Sequence, residues 1–288
     1  MLNLACIFDI CYIVVSNAPF TTRAENLLRR LDTSLDIARC TKKAADRAAN
    51  VIGTRTGDQF YAATWIGMYS QYCNINKGLG QDSNPKNFPF RMNKELRCAF
   101  HPKRDENVRE LFLAAGHMID EALTIMGSQT FTNVYRGLKD YIYINQDQFT
   151  EEGFVSTSKD VSVALRFANG GILMVVDSIR GVDIRDYAED QFQYQDEVLG
   201  LLGSTFRITQ ILEDATEISA MYPKNTPRQV IYVSQVYLEN SVDSALKEEQ
   251  HKSSLNYCDP EQSTSSTGQL LPVPLPWFVY LNIYLYFG

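Results

Sequence analysis

The chain changes its hydrophobic period once, near Phe131, and that change limits the folds open to it more than any other feature. Upstream, apolar residues recur at helical spacing. Residues 22–50 are rich in Ala, Leu, Arg, Lys and Asp with few breakers, and read as one or two amphipathic helices. A second helix is expected from Tyr61 to Asn76, stopped by Gly78, Gly80 and turn residues as far as Pro89. A third follows Pro102, from Glu106 to Met126, where Leu111, Ala115, Met118, Ala122 and Leu123 keep the apolar spacing. Gly127-Ser128 then supplies its stop.

Downstream the period shortens. Runs suited to β-strands occupy 131–136, 152–157, 172–177, 197–202, 205–212 and 228–238, bounded by Gly, Asp, Asn and Ser. One helix interrupts them: Val161, Ala164, Leu165 and Ala168 share a face, with Ser158 expected as the N-cap and Gly170-Gly171 as the terminator. Helices first and strands after predict an α+β protein rather than an alternating parallel sheet. The expected division is a helical part over 19–128 and a β-rich part over 129–240, flanked by distinct ends at 1–18 and 241–288. No internal repeat is apparent.

Charge and composition exclude several functions. With 27 Lys+Arg against 34 Asp+Glu the net charge is −7, which argues against a broad nucleic-acid-binding face. His101, His117 and His251 are scattered and no Cys-x-x-Cys pair occurs, so no metal centre is expected. Gly78 and Gly80 lack a third glycine in register and no Gly-Lys-Ser/Thr is present, which disfavours a Gly-rich nucleotide loop.

The two ends bear on address. Residues 4–15 form an apolar run followed by Ser16-Asn17-Ala18, the layout of a cleaved secretory signal over 1–18. Against it stand Asp9 inside the run and the lack of a preceding Lys or Arg; a buried strand or a leader without order is the alternative. At the other end, Leu270 to Gly288 is mostly apolar after the polar stretch 263–269. Pro272, Pro274, Pro276 and Asn282 make it a poor membrane span, whereas a lipid-anchor attachment signal, and with it membrane attachment, suits the layout. Without the leader, Cys40, Cys73, Cys98 and Cys258 remain: two disulfides in three connectivities, or four buried thiols in a cytosolic chain. No Asn-x-Ser/Thr acceptor occurs. The expectation is a secreted or cell-surface protein, with a cytoplasmic one as the alternative.

Three segments carry groups suited to chemistry. In Tyr135-Arg136-Gly137, an Arg ends an apolar strand, where a planar fork of donors suits phosphate and Gly137 admits a ligand close to the backbone. In Phe154-Val155-Ser156-Thr157-Ser158, alternation turns Phe154, Ser156 and Ser158 to one face. In Phe192-Gln193-Tyr194-Gln195-Asp196-Glu197, Gln195 and Glu197 face the same way if extended. A carboxylate beside an amide can answer developing positive charge while the amide positions an incoming group. Singly, each reads as ordinary: an ion-paired Arg, strand hydroxyls bonded to backbone, a solvated acidic loop.

Together and in order, the three segments resemble the mono-ADP-ribosyltransferases, in particular the eukaryotic ecto-enzymes, whose sites combine an Arg, a Ser-Thr-Ser strand and an acidic pair. Asn93 to Arg97 and the 106–126 helix resemble that family's upstream helices, and the likeness covers residues 55–240. The resemblance implies a fold of helices packed on two small, mainly antiparallel sheets with an NAD cleft. It implies that Arg136 grips a phosphate of NAD, that the Gly137 backbone meets the nicotinamide carboxamide, and that Ser156 holds Glu197 in place. Thr157 and Ser158 would support that strand. Glu197 would bond a hydroxyl of the nicotinamide ribose and stabilise the cation-like sugar as nicotinamide leaves. NAD would be a co-substrate, and no metal is needed.

Gln195 departs from the arginine-modifying pattern, which has Glu there to orient or deprotonate the acceptor guanidinium; Gln cannot take that proton. Phe192 falls where members place a loop aromatic that contacts the target protein. The expected function is transfer of ADP-ribose from NAD to a side chain of an unidentified acceptor protein, with arginine as the family default. NAD glycohydrolysis, with water as acceptor, is the near alternative. A non-catalytic surface interaction protein on the same fold is the rival from another class.

Overall fold

The computed structural model describes residues 18–71, 75, 87–97, 106–139 and 147–236, with the side chains of 106–109 set aside. The leader, the tail and the ends of the 61–76 helix and the 228–238 strand lie outside the described residues. Two units emerge. The first takes in the chain as far as Gln129, Glu152–Phe154 and Gly181–Leu202; the second takes in Thr130–Glu151, Val155–Arg180 and the chain from Gly203.

In the first unit the 22–50 pattern resolves into two helices, α1 (Phe20–Leu35) and α2 (Ala38–Ile52). The break falls at Asp36, which is left-handed (φ 55°, ψ 51°) and donates its N–H to Asp32 O at 3.0 Å, ending α1. Ala24, Leu27, Leu28, Leu31 and Leu35 bury one face of α1. On α2 only Ala44 and Ala48 are buried, and these small side chains let α2 approach α3 (Asp58–Ser70) closely at Gly67. α3 is the centre of the unit: Phe60 and every residue from Ala62 to Tyr69 are buried.

Helix α4 (Phe88–Arg97) carries Pro89 in its first turn, where a missing N–H costs nothing; the sequence reading had counted Pro89 among the turn residues. α5 (Glu106–Ile125) falls where its periodicity and its Gly127 stop predict. Trp65, Phe88, Phe112 and Phe154 are the largest fully buried side chains of this core, each worth roughly 1.5–3 kcal/mol of burial or more.

The second unit holds β1 (Gln129–Leu138), β2 (Gln148–Glu151), β3 (Val155–Ser158), α6 (Val161–Ala168), most of β4 (Ile172–Asp183), β6 (Ser204–Leu212), α7 (Ala215–Met221) and β7 (Gln229–Val236). Here β4 pairs parallel with β7, while β6–β7, β2–β6 and β1–β3 are antiparallel. β4 also pairs with β1, and its last residues, which belong to the first unit, pair antiparallel with β5 (Glu197–Gly200). Ala164 and Leu165 of α6 pack with Leu173, Val175, Val230, Leu212 and Ile218. Tyr135, Tyr222 and Tyr232 border that cluster; burial, then the neighbouring Tyr232 and Tyr135, push the Tyr222 phenol up to about 12. The α+β class is as expected. Among the described residues, no helix is long and apolar enough to cross a membrane.

Two local expectations are corrected. The N-cap of α6 is Asp160, whose Oδ1 accepts from Ser162 N at 2.8 Å. Ser158 acts one step earlier, accepting from Asp160 N on Oγ at 3.0 Å at the corner between β3 and α6. The 152–157 run is not one strand: Glu152–Phe154 belongs to the first unit's contacts, and β3 begins at Val155.

Candidate functional site

Arg136 and Gly137 lie near the end of β1, whose register with β3 pairs Tyr135 with Ser158. The Arg136 side chain is 11% exposed, and its Nη2 stands 3.6 Å from Oε2 of Glu151, itself 12% exposed. Sequence reasoning missed Glu151, because the contact joins strands that no local pattern connects. Gly137 has a packing reason as well as the expected ligand one. A Cβ there would collide with Ala164 O and Ala168 N, so the missing side chain lets the α6 backbone lie against β1. On β3, Thr157 and Ser158 are buried and Ser156 is half-buried.

Just before β3, Phe154 is fixed by the first unit. Its N–H donates to Asn93 Oδ1 at 2.9 Å, while Asn93 Nδ2 donates to the Tyr69 hydroxyl at 2.9 Å. The Tyr69 and Phe154 rings meet edge to face at 5.4 Å. One amide on α4 therefore ties α3 to the residue that leads into the Ser-Thr-Ser strand.

Glu197 opens β5 and is half-buried. Its carbonyl accepts from Ile184 N at 3.0 Å, and the strand is registered by Gly181↔Gly200, Val182↔Leu199 and Asp183↔Val198. At the far end, Asp120 Oδ1 on α5 accepts from Leu202 N at 2.9 Å. Burial raises the Asp120 carboxyl above its ordinary value, against the weaker pull of the Leu202 amide and His117.

The expected extended placement of Gln195 with Glu197 is not found. Gln195 ends a 3-10 helix (Asp190–Gln195), and Asp196 is left-handed (φ 45°, ψ 51°), so the chain turns sharply between the two. Asp196 N donates to Gln193 O at 3.2 Å, and its carboxylate accepts from Arg185 Nη1 at 3.3 Å. A preceding 3-10 turn, Arg185–Tyr187, buries Tyr187. The whole loop is braced by helices. Arg47 donates to Asp190 Oδ1 (2.7 Å) and Asp186 O (2.8 Å), Lys43 pairs with Glu189 (3.4 Å), and Ser70 Oγ donates to Tyr187 O (3.2 Å). Phe192 is half-buried with its N–H on Glu189 O at 2.7 Å, whereas Tyr194 is 55% exposed. Tyr194, beside Gln195, is the aromatic the loop displays.

Arg136, Ser156, Thr157 and Ser158 thus sit in the second unit and Phe192, Gln195 and Glu197 in the first. Each stands on backbone that its own unit holds firmly.

Residues 83–223 match the model of the family described as NAD:arginine ADP-ribosyltransferase. No curated protein sequence matches the chain. Among solved structures, the eukaryotic mono-ADP-ribosyltransferase ART2.2 is similar at TM-score 0.54 and 16% identity, covering 77% of this chain and 88% of that one. A substituted form of ART2.2 in complex with NAD is similar at TM-score 0.54 and 16% identity, covering 76% and 86%. Another, in complex with NADH, gives 0.53 at 15% identity, covering 83% and 91%. At these identities the structural likeness is one of fold. The match over residues 83–223 and the likeness of fold support an NAD-dependent ADP-ribosyltransferase.

Proposed function

We propose that the chain transfers a single ADP-ribose from NAD to a protein side chain other than arginine, with water as a competing acceptor. The observation that carries this reading is the order Arg136, Ser156, Glu197, complete inside the family-matched residues, with Gln in place of an acid at 195. In the reaction the bond from C1′ of the nicotinamide ribose to the pyridinium nitrogen breaks, and its electron pair leaves with nicotinamide. The sugar carbon becomes cation-like, and a fixed carboxylate stabilises that charge where it develops. Glu197 supplies the carboxylate, Arg136 holds a phosphate by its planar fork, and Ser156 supports Glu197. Gly137 presents backbone to the carboxamide, and Thr157 and Ser158 support the serine strand. The acceptor atom then bonds to C1′ and loses its proton.

An arginine acceptor needs that proton taken from a guanidinium, the least acidic of the side-chain cations. Gln195 cannot accept it, so a less basic nucleophile or water is favoured. Tyr194 and Phe192, on the loop that ends at Gln195, form the surface that an acceptor protein meets. The test uses labelled NAD and a small guanidino compound. Gln195→Glu raises transfer to that compound at least tenfold while nicotinamide release stays within about threefold of wild type. Wild-type transfer to the guanidino compound at the variant's rate would overturn the role given to Gln195.

Export of the protein is part of the same proposal. Its support is that Cys40 is disulfide-bonded, a state that persists in oxidising compartments, together with the signal-like leader and anchor-like tail of the sequence. N-terminal sequencing of the secreted protein tests it: a start after Ala18 is expected, and an intact Met1 in the cytoplasm would contradict it.

A further inference from the structure

The ion pair between Arg136 and Glu151 is internal to one unit and stands on fixed backbone at both ends. Glu151 closes β2, in register with Ser204 of β6. That register is secured by the Thr150–Thr205 hydroxyl bond at 2.8 Å and the stacked rings of Phe149 and Phe206 at 5.5 Å; Ser204 Oγ in turn accepts from Gln235 Nε2 at 3.0 Å. Arg136 is held by the β1–β3 register on one side and by the α6 backbone against Gly137 on the other.

A guanidinium with 11% of its side chain exposed is costly without an anionic partner. Its five donors lie in one plane, so a carboxylate along one edge fixes which edge faces a second anion. We infer that Glu151 is a positioning residue for NAD: it orients the Arg136 fork toward the phosphate and so sets NAD affinity through Arg136. This rests on the reading that Arg136 binds a phosphate of NAD.

The consequences differ by variant. Glu151→Ala removes the partner and lets the guanidinium turn, so NAD binding weakens. Glu151→Gln keeps the shape but not the charge, and at 3.6 Å a neutral amide oxygen is no hydrogen-bond partner, so the fork is released as in the alanine variant. Glu151→Asp keeps the charge but withdraws it by one methylene, so the fork is released in part.

The test is calorimetry with NAD, made in a Glu197→Gln background to prevent turnover, on the full chain. Glu151→Ala and Glu151→Gln are each expected to raise Kd about tenfold, and Glu151→Asp less than about threefold. Added to Arg136→Ala, Glu151→Ala has no further effect, because the route through Arg136 is gone. In turnover assays with Glu197 restored, KM for NAD follows the same order while kcat stays within about threefold.

Equal effects of Glu151→Ala with and without Arg136 would overturn the inference while leaving Arg136 as the phosphate ligand. Unchanged NAD affinity in Arg136→Ala itself would overturn both. Should Glu151→Ala fail to fold, the order of the other two decides: binding by the Gln variant as tight as or tighter than by the Asp variant contradicts orientation by the ion pair.

Discussion

Arg47 of α2 donates from Nη1 to Asp190 Oδ1 at 2.7 Å and from Nε to the Asp186 carbonyl at 2.8 Å, binding the loop that ends at Gln195 to the helical part of the chain. Arg47 is 23% exposed, whereas Asp190 is 91% exposed, so the backbone bond is the better shielded of the two. Such a pair contributes little to global stability, about 1 kcal/mol or less. Its effect is local, because Arg185–Gln195 has only 3-10 turns of its own to hold it. Arg47→Ala should therefore leave the melting temperature nearly unchanged while trypsin cuts after Arg185 severalfold faster. Equal cutting rates in variant and wild type would show that the brace does not order the loop.

Asn93 bridges the Tyr69 hydroxyl and the Phe154 amide with its two polar ends. Removing the side chain leaves the Phe154 N–H without that acceptor, beside a ring that is 1% exposed. A lost partner of this kind costs about 1–3 kcal/mol. Asn93→Ala should lower stability by that amount in urea denaturation, and Asn93→Asp, which keeps an acceptor for Phe154 N, should lose less than Asn93→Ala. A variant with alanine as stable as wild type would contradict the bridge.

Asp120 provides a prediction in pH. Burial holds its folded-state pKa above the ordinary value near 3.8. Over the window between those two values the native chain binds more protons than the unfolded one, so stability falls as pH rises through it. The contribution of the protonated carboxyl is fully present below the ordinary value and is lost above the raised one. Asp120→Asn keeps an acceptor for Leu202 N and does not titrate. Its stability relative to wild type should therefore climb as pH rises through that window and level off above it. Urea denaturation over a series from about pH 3 to pH 7 checks this. A stability difference that does not change with pH would refute a raised Asp120.

These elements also show where the sequence was readable and where it was not. α5 was legible because periodicity and the Gly127 stop agree over 20 residues. Asn93 to Arg97 of α4 was legible only through the family resemblance, and its start was hidden because Phe88-Pro89-Phe90 looks like a break, although proline is at home in a first turn. α7 is a second helix among the strands where only one was expected; it spans seven residues, and its one local signal is Asp214, which accepts from Thr216 N and Glu217 N at 2.8 and 2.9 Å. Gln195 was misplaced because alternation alone does not distinguish a strand from a tight turn; the left-handed Asp196 decides it. The partners of the site were beyond local reading. Asn93 and Phe154, Asp120 and Leu202, and Arg136 and Glu151 meet only through tertiary packing.

The roles assigned to Arg136, Ser156 and Glu197 converge on one event, cleavage of NAD with release of nicotinamide. Release from labelled NAD, measured for wild type and Glu197→Gln side by side, tests it most directly. Wild type should turn over, and the variant, which keeps the shape but not the charge, should be slower by about 100-fold or more while retaining its fold. Equal release by the two proteins, or none by wild type under oxidising and reducing conditions alike, would contradict the account.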